Sequence, residues 1–164
     1  MPIDLEAPIA PGLYATARGY TKMLDVGHQK TPEIPGVTAN FLMPKSLLAG
    51  FALELYFKAW LRFDGYTGAQ LKGLGHNLTK AFEQCVERGL RDGYREVVSR
   101  FAERHLDLGY RYMDPNGQYN HPNFEAVIKL LWLLDEEVYR HIDINEYVQA
   151  NNLRELYSSS QSPS

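Results

Sequence analysis

Glu54 and Lys58 are the residues whose types and spacing first suggest chemistry. They stand four apart in a segment, Pro44 to Arg62, that is otherwise crowded with apolar side chains: Leu47, Leu48, Phe51, Leu55, Tyr56, Phe57, Trp60 and Leu61. A spacing of four makes them neighbours on one helix face, with the acid N-terminal to the base, which is the favourable order. In water such a pair stabilises a helix by about 0.2–0.5 kcal/mol. Buried, it needs further hydrogen bonds to offset the loss of hydration, or it destabilises. His76 follows in Gly75-His76-Asn77 and is the natural third partner, able to accept from Lys58 or donate to Glu54. Such a constellation is either a polar lock between two helices or a binding or acid/base site in which burial moves pKa values toward neutrality.

The elements that must position these groups read as helices. Leu13 to Met23 has Leu13, Ala17, Tyr20 and Leu24 on one side. Pro44 suits a first helical turn, and the segment after it is apolar all round, as expected of a central helix. Gly65 to Gly75 carries four glycines and reads as a flexible connection. Asn77 caps a helix from Leu78 to Arg88, ended by Gly89. Asp92 caps the next, Gly93 to Leu108, whose apolar stripe is Tyr94, Val97, Val98, Phe101, His105 and Leu108. Asn123 caps a last long helix to His141, with Phe124, Val127, Leu131, Leu134 and Val138 as its seam. Asp143 to Tyr157 reads as a short amphipathic helix. With no strand-like alternation, the expected class is all-α, a bundle of four main helices with accessory ones. The expected organisation is an extended arm (1–12), a single helical domain (13–157) and a disordered Ser-rich tail (158–164).

Composition narrows the classes of function. The chain has 164 residues, 45% of them hydrophobic and 23% charged, which allows one domain with a real core. A net charge of −3 argues against coating nucleic acid by bulk charge. Cys85 is the only cysteine, so no intramolecular disulfide forms, which fits a reducing, cytoplasmic setting. No apolar run reaches the roughly 20 residues of a membrane span, and the first residues lack a signal-peptide pattern. There is no His-Glu-x-x-His and no cysteine pair, so the sequence calls for no metal; without a P-loop or dinucleotide fingerprint it calls for no cofactor.

The stretch Ala52-Leu53-Glu54-Leu55-Tyr56-Phe57-Lys58-Ala59-Trp60-Leu61, followed by Gly75-His76-Asn77-Leu78, resembles the HEPN domains, nucleotide-binding helical domains of prokaryotes and higher eukaryotes. The resemblance is specific over Ser46 to Phe82 and looser over Tyr94 to His141. It implies an up-and-down bundle of four to five helices and frequent homodimerisation. It also implies roles in RNA cleavage, toxin–antitoxin or defence systems, or partnership with nucleotidyltransferases.

Catalytic members of that family resemble one another in an Arg followed, after four to six residues, by a His. Arg100 and His105 form one such match. On a single helix five residues turn the side chain by about 140°, so the two face nearly opposite ways. His105 also falls on the apolar stripe, as a core or interface histidine would. Arg111-Tyr112-Met113-Asp114 is similar to the Arg-Tyr-Pro-Asp loop of relatives without the nuclease motif, with Met113 in place of proline. The resemblance therefore implies a member that binds a nucleotide, RNA or a partner protein without strong catalysis. Glu54, Lys58 and His76 would order its site, and Arg111 and Tyr112 would contribute from the loop. The alternative is a metal-independent RNA endonuclease using Arg100 and His105 across a dimer cleft, with His105 as acid/base and Arg100 stabilising phosphate charge. Arg88, Arg91, Arg95, Arg100, Arg104 and Arg111 are candidates for phosphate contact, diluted by Glu87, Glu96 and Glu103.

Overall fold

A computed structural model describes residues 8–30, 38–106 and 122–142. Every regular element among them is helical: α1 (Ala10–Lys30), α2 (Thr38–Phe63), α3 (Gly68–Leu74), α4 (Leu78–Val86), a 3₁₀ turn (Asp92–Tyr94), α5 (Arg95–Leu106) and α6 (Phe124–His141). The described residues are thus all-α, and no described helix is long and apolar enough to cross a membrane.

Helix α2 is the hub. It packs most extensively on α1 and also touches α3, α4, α5 and α6. Its burial explains its composition: Ala49, Ala52, Tyr56, Phe57, Ala59 and Leu61 are fully inaccessible. The small residues let neighbouring helices approach, and the aromatic ones fill the space between them. The other helices close the core with the stripes expected of them. Leu13, Ala17 and Leu24 of α1 are buried, as are Val97, Val98 and Phe101 of α5 and all five seam residues of α6.

Several boundaries differ from expectation. Helix α1 begins at Ala10, so residues 10–12 are not part of an extended arm. Helix α2 begins at Thr38, placing Pro44 inside it rather than at its start. Pro44 is exposed there, where its missing N–H removes one helical hydrogen bond. The glycine-rich connection contains α3, started by a capping box: Thr67 accepts from the Gln70 backbone at 3.2 Å, and the Gln70 side chain accepts from the Thr67 backbone at 2.8 Å. Asp92 is not a cap; it sits in the 3₁₀ turn and pairs with Arg95 at 2.8 Å. Asn77 and Asn123 are caps as expected, accepting from Lys80 N at 2.9 Å and Ala126 N at 3.2 Å. Leu108, the Arg111–Asp114 loop, the Asp143–Tyr157 segment and the Ser-rich tail lie outside the described residues.

Candidate functional site

Three parts of the chain converge on one carboxylate. Glu54 projects from α2 toward α5 and the turn before α4. Lys58 Nζ donates to Glu54 Oε1 at 2.6 Å. The other oxygen, Oε2, meets two imidazoles, His76 Nδ1 at 2.9 Å and His105 Nε2 at 2.6 Å. The three groups named from sequence are therefore together, and His105, assigned there to a different motif, joins them.

Each partner is placed by local structure. Lys58 is held by helical spacing on α2. His76 stands between Gly75, whose φ of 56° is open to glycine at little cost, and the α4 cap Asn77. His105 is carried on the buried stripe of α5, one turn after Phe101, and its ring meets Phe51 edge-on at 5.3 Å. Exposure is graded across the cluster: the His105 side chain is 0% exposed, Glu54 7%, Lys58 16% and His76 43%. His76 is thus the edge of the cluster that reaches solvent.

Burial alone would raise the Glu54 pKa. Hydrogen bonds from His105, His76 and Lys58, with the Lys58 charge, outweigh it and hold the carboxyl at about 2. Glu54 is accordingly a permanent anion near neutral pH, the reverse of a shift toward neutrality. The remaining ring nitrogen of His105, Nδ1, is buried without a hydrogen-bond partner among the described residues.

The paired Arg and His of the nuclease motif are not brought together. Arg100 is on the exposed side of α5, bonded to Glu96 at 2.5 Å, while His105 is enclosed. The neighbouring arginines are also matched by acids. Arg91 pairs with Glu137 at 2.8 Å, Arg95 pairs with Glu83 and Asp92, and Arg88 lies 3.8 Å from Glu87 and over the Tyr66 ring. Arg111 and Tyr112 lie outside the described residues.

Two further polar groups escaped sequence reasoning. Tyr56 donates to buried Asp135 at 2.9 Å, with the Thr21 hydroxyl 3.1 Å from the phenol oxygen. His141 stacks on Trp60, with centroids 3.5 Å apart, and bonds Asp64 at 2.7 Å. Both join residues far apart in sequence, and no short motif announces them. Cys85 is buried, and burial pushes its thiol up, so it is no activated nucleophile.

The histidines have no metal-binding spacing in sequence. Folding nevertheless gathers Glu54, His76 and His105 so that their ligating atoms all lie within 4.8 Å of one another. Comparison with family models, with curated proteins and with solved structures gave no match.

Proposed function

We propose that this chain is a HEPN-like, cytoplasmic helical module, working as a homodimer, that binds a nucleotide, RNA or a partner protein without strong catalysis. The observation that carries this reading is the saturation of Glu54. Three donors converge on its two oxygens, and its depressed pKa makes it a poor proton carrier near neutral pH. It ties α2 to α5 and to the turn before α4, leaving His76 as the solvent-facing member. Binding would occur on that edge, with Arg111 and Tyr112 as the further contacts that the family resemblance implies. The acid partners of Arg88, Arg91, Arg95 and Arg100 favour a nucleotide or a partner protein such as a nucleotidyltransferase over a long RNA tract.

The alternative, RNA cleavage by Arg100 and His105 across a dimer cleft, would need His105 to reach substrate. Its complete burial speaks against that. The test combines binding and cleavage. Fluorescence anisotropy with labelled nucleotides and short RNAs should show saturable binding that His76→Ala weakens, with no RNA cleavage in EDTA. Metal-independent cleavage that disappears in a folded His105→Ala variant would overturn the binding reading and establish the nuclease.

A further inference from the structure

The Glu54, His76 and His105 cluster has the donor set of a transition-metal site. Two imidazole nitrogens and one carboxylate oxygen come from three separate parts of the chain, their ligating atoms within 4.8 Å of one another. Nitrogen-rich sets of this kind suit Zn²⁺, Co²⁺, Ni²⁺ or Fe²⁺, whereas Mg²⁺ and Ca²⁺ take oxygen ligands. Two of the three residues are buried and one is half exposed, which gives an ion a fixed floor and a way in. We propose that these three side chains form a binding site for a divalent transition-metal ion of the zinc class, with an open position on the His76 side for water or an anionic oxygen ligand.

Distances say what must move. Bonds of about 2.1 Å in tetrahedral geometry set ligand atoms about 3.4 Å apart. The carboxylate oxygen now lies 2.9 Å from His76 and 2.6 Å from His105, as direct hydrogen bonds require. An ion would replace those two bonds and spread the triad by roughly half an ångström or more. His76 is the member able to yield, since it is half exposed and follows a glycine. His105 is pinned between Phe51 and Gly50.

The surroundings set the strength. Lys58 stays on the other carboxylate oxygen, where it orients Glu54 but repels a cation. His105 lacks an acceptor for its second ring nitrogen, the contact that usually strengthens a metal-bound histidine by about 10–100-fold. These two features place the site at the weak end of its class.

The experiment uses the full chain, stripped with EDTA and titrated with Zn²⁺ by calorimetry and with Co²⁺ by absorption near neutral pH. A single ion should bind. His76→Ala, at the exposed edge, should weaken binding by more than about tenfold, and His76→Gln should do the same. Lys58→Met should tighten it several-fold by removing the competing charge, which a purely structural cluster would not do. His141→Ala should bind like the parent, since that histidine belongs to a different pair. Absence of saturable binding in the parent would overturn the proposal, as would unchanged affinity in both folded His76 variants. Loss of binding in His141→Ala would reassign the ion to the His141–Asp64 pair.

Discussion

The ring of His105 lies directly against the backbone of Gly50: a Cβ at Gly50 would fall 2.5 Å from His105 Nδ1. The ring cannot easily retreat, because Nε2 is bonded to Glu54 and Phe51 meets it edge-on. Gly50 thus sets how closely α5 can approach α2. Replacing a helical glycine by alanine ordinarily gains about 0.5–1 kcal/mol. Here the overpacking cost of about 1–3 kcal/mol should win, so Gly50→Ala should lower the urea midpoint. Gly19→Ala, on α1 with nothing within 4 Å of the added carbon, should raise it. A Gly50→Ala protein as stable as Gly19→Ala would contradict the contact.

The Glu54 cluster makes a graded prediction for metal-free protein. Glu54→Gln leaves Lys58 and the buried His105 facing a neutral amide, and should cost about 3–5 kcal/mol. His76→Ala removes the half-exposed partner and should cost no more than about 1 kcal/mol. Arg100→Ala, on the exposed face, should stay within about 0.5 kcal/mol of the parent. Chemical denaturation of the three variants checks the order. Equal losses at Glu54 and His76 would mean that solvent reaches the carboxylate as freely as the imidazole.

Acid should loosen the contact between α6 and the 3₁₀ turn before α5 through Glu137. Burial raises the pKa of this carboxyl. Hydrogen bonds from the Arg91 guanidinium and Tyr94, then from the Arg91 backbone, outweigh it and hold the pKa below its ordinary value of 4.5. The native state therefore binds fewer protons than the unfolded chain as the pH falls through the carboxylate range. The contribution is complete above 4.5 and is lost as the pH drops below it. The stability gap between the parent and Glu137→Gln should be widest near neutral pH and narrow on acidification. A gap that grows toward low pH would reverse the sign.

What the sequence revealed depended on range. Asn77 and Asn123 were legible as caps because a cap is decided within one turn. The seams of α5 and α6 were legible because periodicity is local. Thr67-x-x-Gln70 is an equally local signal for α3, masked by the glycines around it. Pro44 misled because proline favours a first turn, whereas α2 already runs from Thr38 before reaching it. The Glu54–Lys58 pair needed only helical spacing, and His76 followed from its place just before the Asn77 cap. That His105, 51 residues from Glu54, would complete the cluster could not be read, because it depends on how closely α5 settles on α2. The same holds for Tyr56 with Asp135 and for Trp60 with His141.

The Trp60–His141 stack offers a prediction that separates two forces at one position. The rings are parallel within 1° at 3.5 Å, and His141 Nε2 lies 2.7 Å from Asp64 Oδ1. His141 stands in the last turn of α6, so this contact fastens the end of that helix to the end of α2. His141→Ala removes both the stack and the hydrogen bond and should cost about 1–3 kcal/mol. His141→Phe keeps an aromatic ring on Trp60 and loses only the bond to Asp64, so it should recover part of the loss. Tryptophan fluorescence supplies an independent readout, since Trp60 and Trp132 are the only two tryptophans and a Trp132→Phe background isolates the first. In that background His141→Ala should change the emission of Trp60 because the ring covering its face is gone. If His141→Phe and His141→Ala are equally unstable, the Asp64 bond alone holds the two helix ends together. If both match the parent, the contact contributes nothing to the fold.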